Sequence, residues 1–104
     1  MSATGGKYTN EAQQRILKVV MLHGEDVVTG LAPAQIAKEL GVPAPYITRD
    51  LENLKTAGWA FQHEETGRWL LAAKPGALGV KVMASIDRAQ RKVDEVRNRF
   101  TRNT

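Results

Sequence analysis

The feature that most constrains this chain is how little separates two short helical patterns. Ile36, Ala37 and Leu40 mark the inward face of a helix expected over Pro33–Leu40. Ile47, Leu51 and Leu54, spaced four and three apart, mark that of another helix, which runs to about Ala57. Between them lie only Gly41 and the tight connection Val42-Pro43-Ala44-Pro45. Gly41 supplies a helix stop. Pro33 fits a first helical turn, because its missing N–H is one the helix leaves unpaired anyway.

The flanks complete the pattern. Asn10 with Gln13 resembles a capping pair opening a first helix, which runs to about His23 with Ile16, Leu17, Val20 and Met21 at helical spacing and Gly24 as its stop. Val27 to Leu31 is β-prone and suits a single strand. After Gly58 the period changes. Trp59–His63 and Arg68–Leu71 read as strands around the turn Glu64-Glu65-Thr66-Gly67, which is a β-hairpin. Three helices followed by a hairpin is the winged helix-turn-helix order, a mainly α fold class. In that arrangement the third helix enters a DNA major groove about 12 Å wide, the second braces it across the backbone, and the wing reaches a neighbouring groove.

Beyond the hairpin, Pro75-Gly76 marks a connector over 74–79, followed by a C-terminal unit over 80–104 whose helix is expected from about Leu78 to Phe100. Residues 1–9 read as a flexible arm and 10–73 as the winged domain. Val82, Ile86, Ala89, Val93, Val96 and Phe100 recur at intervals alternating between four and three, a heptad seam. The seam predicts a homodimer through a long C-terminal dimerisation helix, roughly 34 Å at ~1.5 Å per residue. Intramolecular packing on the first helix is the competing use of the same seam.

Composition sets the remaining bounds. The 104 residues make one small domain, with apolar (42%) and charged (25%) fractions ordinary for a globular chain. Absence of cysteine removes disulfides, thiolate zinc sites and iron–sulfur clusters. No apolar run reaches the ~18 residues of a membrane span, and Met1–Asn10 is unlike a signal peptide, so the expected location is the cytoplasm. Net charge is +4 but unevenly placed. Residues 1–73 carry seven Lys/Arg against eight Asp/Glu, whereas 74–104 carry eight against three, a net of +5. General attraction to phosphate therefore belongs to the C-terminal third.

Catalysis finds no support. His63-Glu64-Glu65-Thr66-Gly67 lacks the second histidine of a zinc-protease helix. Gly6-Lys7-Tyr8 lacks the hydroxyl residue and upstream glycine of a phosphate loop, and neither Ser2 nor Ser85 sits in a nucleophile elbow. His23 reads as a C-terminal helix cap. No enzyme activity, cofactor or metal is expected.

The run Leu31-Ala32-Pro33-Ala34-Gln35-Ile36-Ala37-Lys38-Glu39-Leu40-Gly41-Val42-Pro43, then Ile47-Thr48-Arg49-Asp50-Leu51-Glu52-Asn53-Leu54, Gly58-Trp59 and Glu65-Thr66-Gly67-Arg68-Trp69, resembles the winged domain of IclR-type bacterial regulators. The likeness covers roughly Asn10 to Gly79 and does not extend to that family's effector-binding domain. It implies a dimeric transcription factor on double-stranded operator DNA, as in bacterial regulators; without the effector-binding domain, an accessory gene of a phage or plasmid is a further expected home. It implies DNA contacts from Ala44, Pro45, Tyr46, Thr48 and Arg49 at the start of the third helix and from Arg68 on the wing. Pro45 and Tyr46 stand where the family usually has small hydroxyl residues.

From the residues themselves, Arg49 is the foremost DNA-contact candidate, because it projects away from Ile47, Leu51 and Leu54 and can pair bidentately with guanine or grip phosphate. Thr48, Asn53 and Lys55 share its exposed side with Glu52, which repels phosphate. Lys38 and Gln35 are candidates for holding phosphates from the second helix. Trp59, Phe61 and Trp69 are expected to cover the helical core rather than to stack bases. Leu70, on the other strand face, marks a partner contact or a tolerated surface leucine. The reading is a sequence-specific double-stranded DNA-binding regulator. Its alternatives are a protein-interaction module presenting Leu70, the third helix or the seam, and an architectural DNA binder without sequence preference that uses the basic C-terminal helix and the arm instead of Arg49.

Overall fold

A computed structural model describes residues 6–102, in the order α1 Glu11–His23, α2 Pro33–Leu40, α3 Ala44–Thr56, β1 Ala60–Gln62, β2 Trp69–Leu71 and α4 Ala73–Thr101. Most of the expected arm, 1–5, and residues 103–104 lie outside the described residues. The expected fold is present: a three-helix core, a two-stranded antiparallel wing and a long C-terminal helix.

Each helix boundary has a local cause. The Asn10 side chain accepts from the Gln13 N–H at 3.1 Å and starts α1. Gly41 at φ 67° ends α2, and the Val42 N–H reaches back to the Ala37 carbonyl at 3.1 Å, which turns the chain within three residues. Pro43 precedes α3 and Pro45 lies in its first turn, so Ala44 and Pro45 are helical instead of part of the connection.

The core is formed by Val19, Leu31, Ile36, Ala37, Ile47, Leu51, Leu54, Ala60 and Trp69. On α1 the buried positions are Val19 and His23, with Ile16 and Val20 partly buried; Leu17 and Met21, expected inward, are 61% and 76% exposed. His23 is not a C-terminal cap. Its Nδ1 lies 2.9 Å from the Val19 carbonyl, one turn back in the same helix, and its buried Nε2 meets no partner among the described residues.

The strand expected over Val27–Leu31 is reduced to its last residue. Asp26 Oδ1 accepts from the Val28 and Thr29 N–H groups at 3.1 and 2.9 Å, folding this stretch into a turn. Only Leu31 pairs, exchanging two backbone hydrogen bonds with Trp69 at 2.8 and 2.9 Å. Strand β2 is thus flanked by β1 on one side and by Leu31 on the other. β1 and β2 pair as Ala60 with Leu71, Phe61 with Leu70 and Gln62 with Trp69.

Leu70 is therefore no surface leucine. It is 8% exposed, and its Cγ would lie 2.8 Å from a Cβ placed on Gly30. Trp69 is in the core and Trp59 packs against it, as expected, but Phe61 on the open face of β1 is 45% exposed.

Residues 74–79, expected as a connector, are helical. Pro75 falls in the first turn of α4, where a missing N–H breaks no hydrogen bond, so Pro-Gly opens this helix instead of interrupting it. The chain divides into two compact units at Ala73 and Lys74. The second, Lys74–Thr104, contains all of α4 but its first residue, and α4, 29 residues and about 43 Å at ~1.5 Å per residue, has no buried residue.

Candidate nucleic-acid interface

Burial of Ile47, Asp50, Leu51 and Leu54 fixes the rotation of α3. The residues between them, Ala44, Pro45, Tyr46, Thr48, Arg49, Glu52, Asn53 and Lys55, are exposed. Every α3 residue expected to meet DNA is thus on the solvent face.

A pair not foreseen from the sequence stabilises that face. Arg15 of α1 donates through Nε and Nη2 to the two carboxylate oxygens of Asp50 at 2.5 and 2.9 Å. Asp50 is 4% exposed. Its hydrogen bonds raise the Arg15 pKa above the ordinary value, against the lowering effect of burial. The same guanidinium sits 4.9 Å from the centre of the Tyr46 ring, and Arg49 sits 5.1 Å from it. Each cation–ring contact contributes about 0.5–1 kcal/mol at an exposed site. Tyr46 thereby connects a neutralised arginine to one that no carboxylate among the described residues engages. Arg49 is left as an available cation on the exposed side of α3.

Two neighbouring polar groups are satisfied within the helix. Thr48 Oγ1 donates to the Ala44 carbonyl at 3.3 Å and Asn53 Nδ2 to the Arg49 carbonyl at 2.8 Å. Lys38 is exposed near the end of α2. Gln35 and Arg68 come together instead of standing apart on helix and wing. Arg68 donates to the Gly30 carbonyl through Nε and Nη2 at 3.2 and 2.9 Å, and to Gln35 Oε1 at 3.4 Å. The Gln35 oxygen also accepts from the Ala32 N–H at 3.4 Å, closing the first turn of α2. Arg68 is accordingly half-buried at the base of the wing, and the exposed tip is formed by Glu64, Glu65 and Thr66.

The wing turn is ordered by its own bonds. His63 Nδ1 accepts from the Thr66 N–H at 3.3 Å, Thr66 Oγ1 from the Arg68 N–H at 3.2 Å, and Gly67 adopts φ 72°. Among the described residues no group of three or more His, Cys, Asp or Glu is placed to hold a metal ion. No described helix is long and apolar enough to cross a membrane. On α4 the seam residues Val82, Ile86, Ala89, Val93, Val96 and Phe100 are all exposed, and Leu78 extends the row by one position.

No protein-family model and no curated relative matches the chain. Among solved structures it is similar to HmgR of Pseudomonas aeruginosa, with a TM-score of 0.67 and 20% identity over 75% of this chain and 33% of that one. It is also similar to ORF112-Zalpha of Cyprinid Herpesvirus 3, described in its binding mode to Z-DNA, with a TM-score of 0.52 and 24% identity over 57% of this chain and 93% of that one. The chain thus spans about a third of HmgR. At these identities the likeness concerns the fold.

Proposed function

We propose that the protein is a sequence-specific double-stranded DNA-binding transcriptional regulator that acts as a homodimer, with α3 in the major groove. The observation that carries the reading is the exposed α3 face, where Arg49 stands against Tyr46 without a carboxylate partner among the described residues, while Arg15, against the same ring, is neutralised by Asp50. In this geometry Arg49 reads a guanine edge or grips a phosphate, and Ala44, Pro45 and Tyr46 at the helix start approach the backbone. The α4 seam pairs two copies, and two recognition helices about 34–36 Å apart read half-sites one helical turn apart. That another structure of this fold is described bound to Z-DNA supports a nucleic-acid partner. What supports a resemblance to IclR-type regulators in particular is the Gly41-Val42-Pro43 turn and the Glu65-Thr66-Gly67-Arg68-Trp69 wing.

The test is selection from a randomised duplex pool with the full chain and with Arg49→Ala. Enrichment of an inverted repeat that is lost with Arg49 supports the reading. Sequence-indifferent binding that ignores Arg49 overturns it. The second reading, a protein-interaction module, is favoured by one observation, the net −1 charge of residues 1–73. Burial of Leu70 removes the contact first considered for it and leaves the α3 face and the α4 seam as its surfaces.

A further inference from the structure

The winged unit is net acidic, so its attraction for a polyanion is weak, and the basic charge lies on the other unit. Along α4 that charge is arranged. Lys81, Arg88, Lys92 and Arg99 follow one another at intervals of seven, four and seven, which on a helix of 3.6 residues per turn puts them within about 40° of one another. Because α4 is continuous from Ala73 to Thr101, the four remain in phase over eighteen residues, about 27 Å at ~1.5 Å per residue. All four are exposed, and among the described residues none is held by an ion pair, the Arg99 guanidinium lying 5.4 Å from the centre of the Phe100 ring. Arg91 and Arg102 border the stripe and Glu95 lies within it, whereas Asp87 and Asp94 fall on a different side of the helix.

We propose that this stripe is a second DNA-contacting surface, which grips backbone phosphates of duplex DNA without reading sequence. Its length corresponds to about eight base pairs of duplex axis at ~3.4 Å each, so the phosphates in its reach come from backbone segments that cross its path, not from one continuous strand. It lies about 100° around the helix from the centre of the Val82–Phe100 seam: Lys81 and Arg88 face away from a copy paired through the seam, whereas Lys92 and Arg99 flank the seam and keep their charged ends at its solvent edge. The inference rests on the proposed function in one respect: the polyanion is the duplex that α3 reads. The division of labour is that Arg49 supplies discrimination and α4 supplies the salt-sensitive part of the affinity.

The test compares the full chain with K81Q/R88Q/K92Q/R99Q and with R49A, using fluorescence anisotropy on a selected duplex and on its scrambled version across about 50–200 mM salt. Glutamine preserves helix propensity and replaces no seam residue, and circular dichroism and sedimentation check that helix content and pairing are kept after the Arg99–Phe100 ring contact is lost. Loss of four phosphate contacts should flatten the log–log salt slope by about 3–4 per protomer, and weaken both duplexes equally, ~100-fold or more near 0.15 M salt. R49A should do the opposite, losing the preference for the selected duplex while keeping most of the slope. An unchanged slope in the quadruple variant overturns the stripe alone. If, in addition, phosphatidylserine vesicles float the unaltered chain but not the quadruple variant, the occupant is a lipid surface. Absence of any duplex binding by the unaltered chain removes the proposed function together with this inference.

Discussion

Arg15 and Asp50 form a two-pronged ion pair between α1 and the inner edge of α3, and the same arginine lies against the Tyr46 ring. One residue therefore couples the placement of α3 in the core to the placement of a side chain on its exposed face. The carboxylate accepts the guanidinium at both oxygens, so neither charge is left uncompensated at this half-buried site.

Breaking this pair from one side should be costly. Asp50→Ala leaves Arg15 partly buried without its partner and should lower folding stability by about 2–4 kcal/mol, measured by urea unfolding. Asp50→Asn keeps the shape and one acceptor and should cost less. A loss below ~0.5 kcal/mol for the alanine variant would mean that water replaces the carboxylate at this edge.

The ion pair also shows where the sequence was legible. An aspartate three residues after Ile47 and one before Leu51 lies on the core face by spacing alone, a sign that a cation must come to meet it, but nothing local says which one. Arg15 is thirty-five positions away. On α1, two interleaved apolar rows were available. The row with Leu17 and Met21 is the more apolar, yet packing selected Val19 and His23, because a histidine that bonds its own helix can be buried. The Pro75-Gly76 pair reads equally as a break or as a first turn, and the helix begins two residues ahead of the proline. In contrast, α2 and the hairpin followed directly from Pro33, Gly41 and the turn at Gly67, where backbone conformation is set within a few residues.

Two glycines with positive φ should respond differently to the same substitution. At Gly30, φ 81°, an added Cβ would meet the Trp69 carbonyl oxygen at 2.5 Å, a backbone atom held by the Leu31 pairing. At Gly41, φ 67°, nothing lies within 4 Å. Gly41→Ala should therefore cost only the left-handed penalty, about 1–2 kcal/mol, whereas Gly30→Ala should exceed it by displacing β2. Equal midpoints in denaturant for the two variants would contradict this account.

Acid sensitivity should carry a contribution from the α1–α2 loop. The Thr29 N–H first, then the Val28 N–H, stabilise the Asp26 carboxylate and hold its pKa below the ordinary 3.8. A depressed folded-state pKa means the stabilisation is fully present above the unfolded value, and is lost as pH falls through the folded one. Melting temperature measured between about pH 2 and 6 should fall less steeply for Asp26→Asn than for the unaltered chain below pH 4. Parallel curves would place the acid-labile contribution elsewhere.

Pairing of two copies should depend on the α4 seam, because none of the described residues covers it. Ile86, Val93 and Phe100 recur every seven residues, the spacing that returns to one side of a helix, and they are 53%, 51% and 74% exposed. Val93→Glu places one carboxylate from each copy at the centre of a symmetric contact, where like charges repel and are poorly solvated. Sedimentation velocity should find the unaltered chain as a dimer at micromolar concentration, and this variant as a monomer with the helix content of α1, α2 and α3 unchanged. DNA affinity should fall with it, since a monomer engages one half-site, while the preference within a half-site persists because Arg49 is untouched. A Val93→Glu protein that still sediments as a dimer would move the pairing surface off the seam. The next place to look would then be the exposed Leu17 and Met21 face of α1.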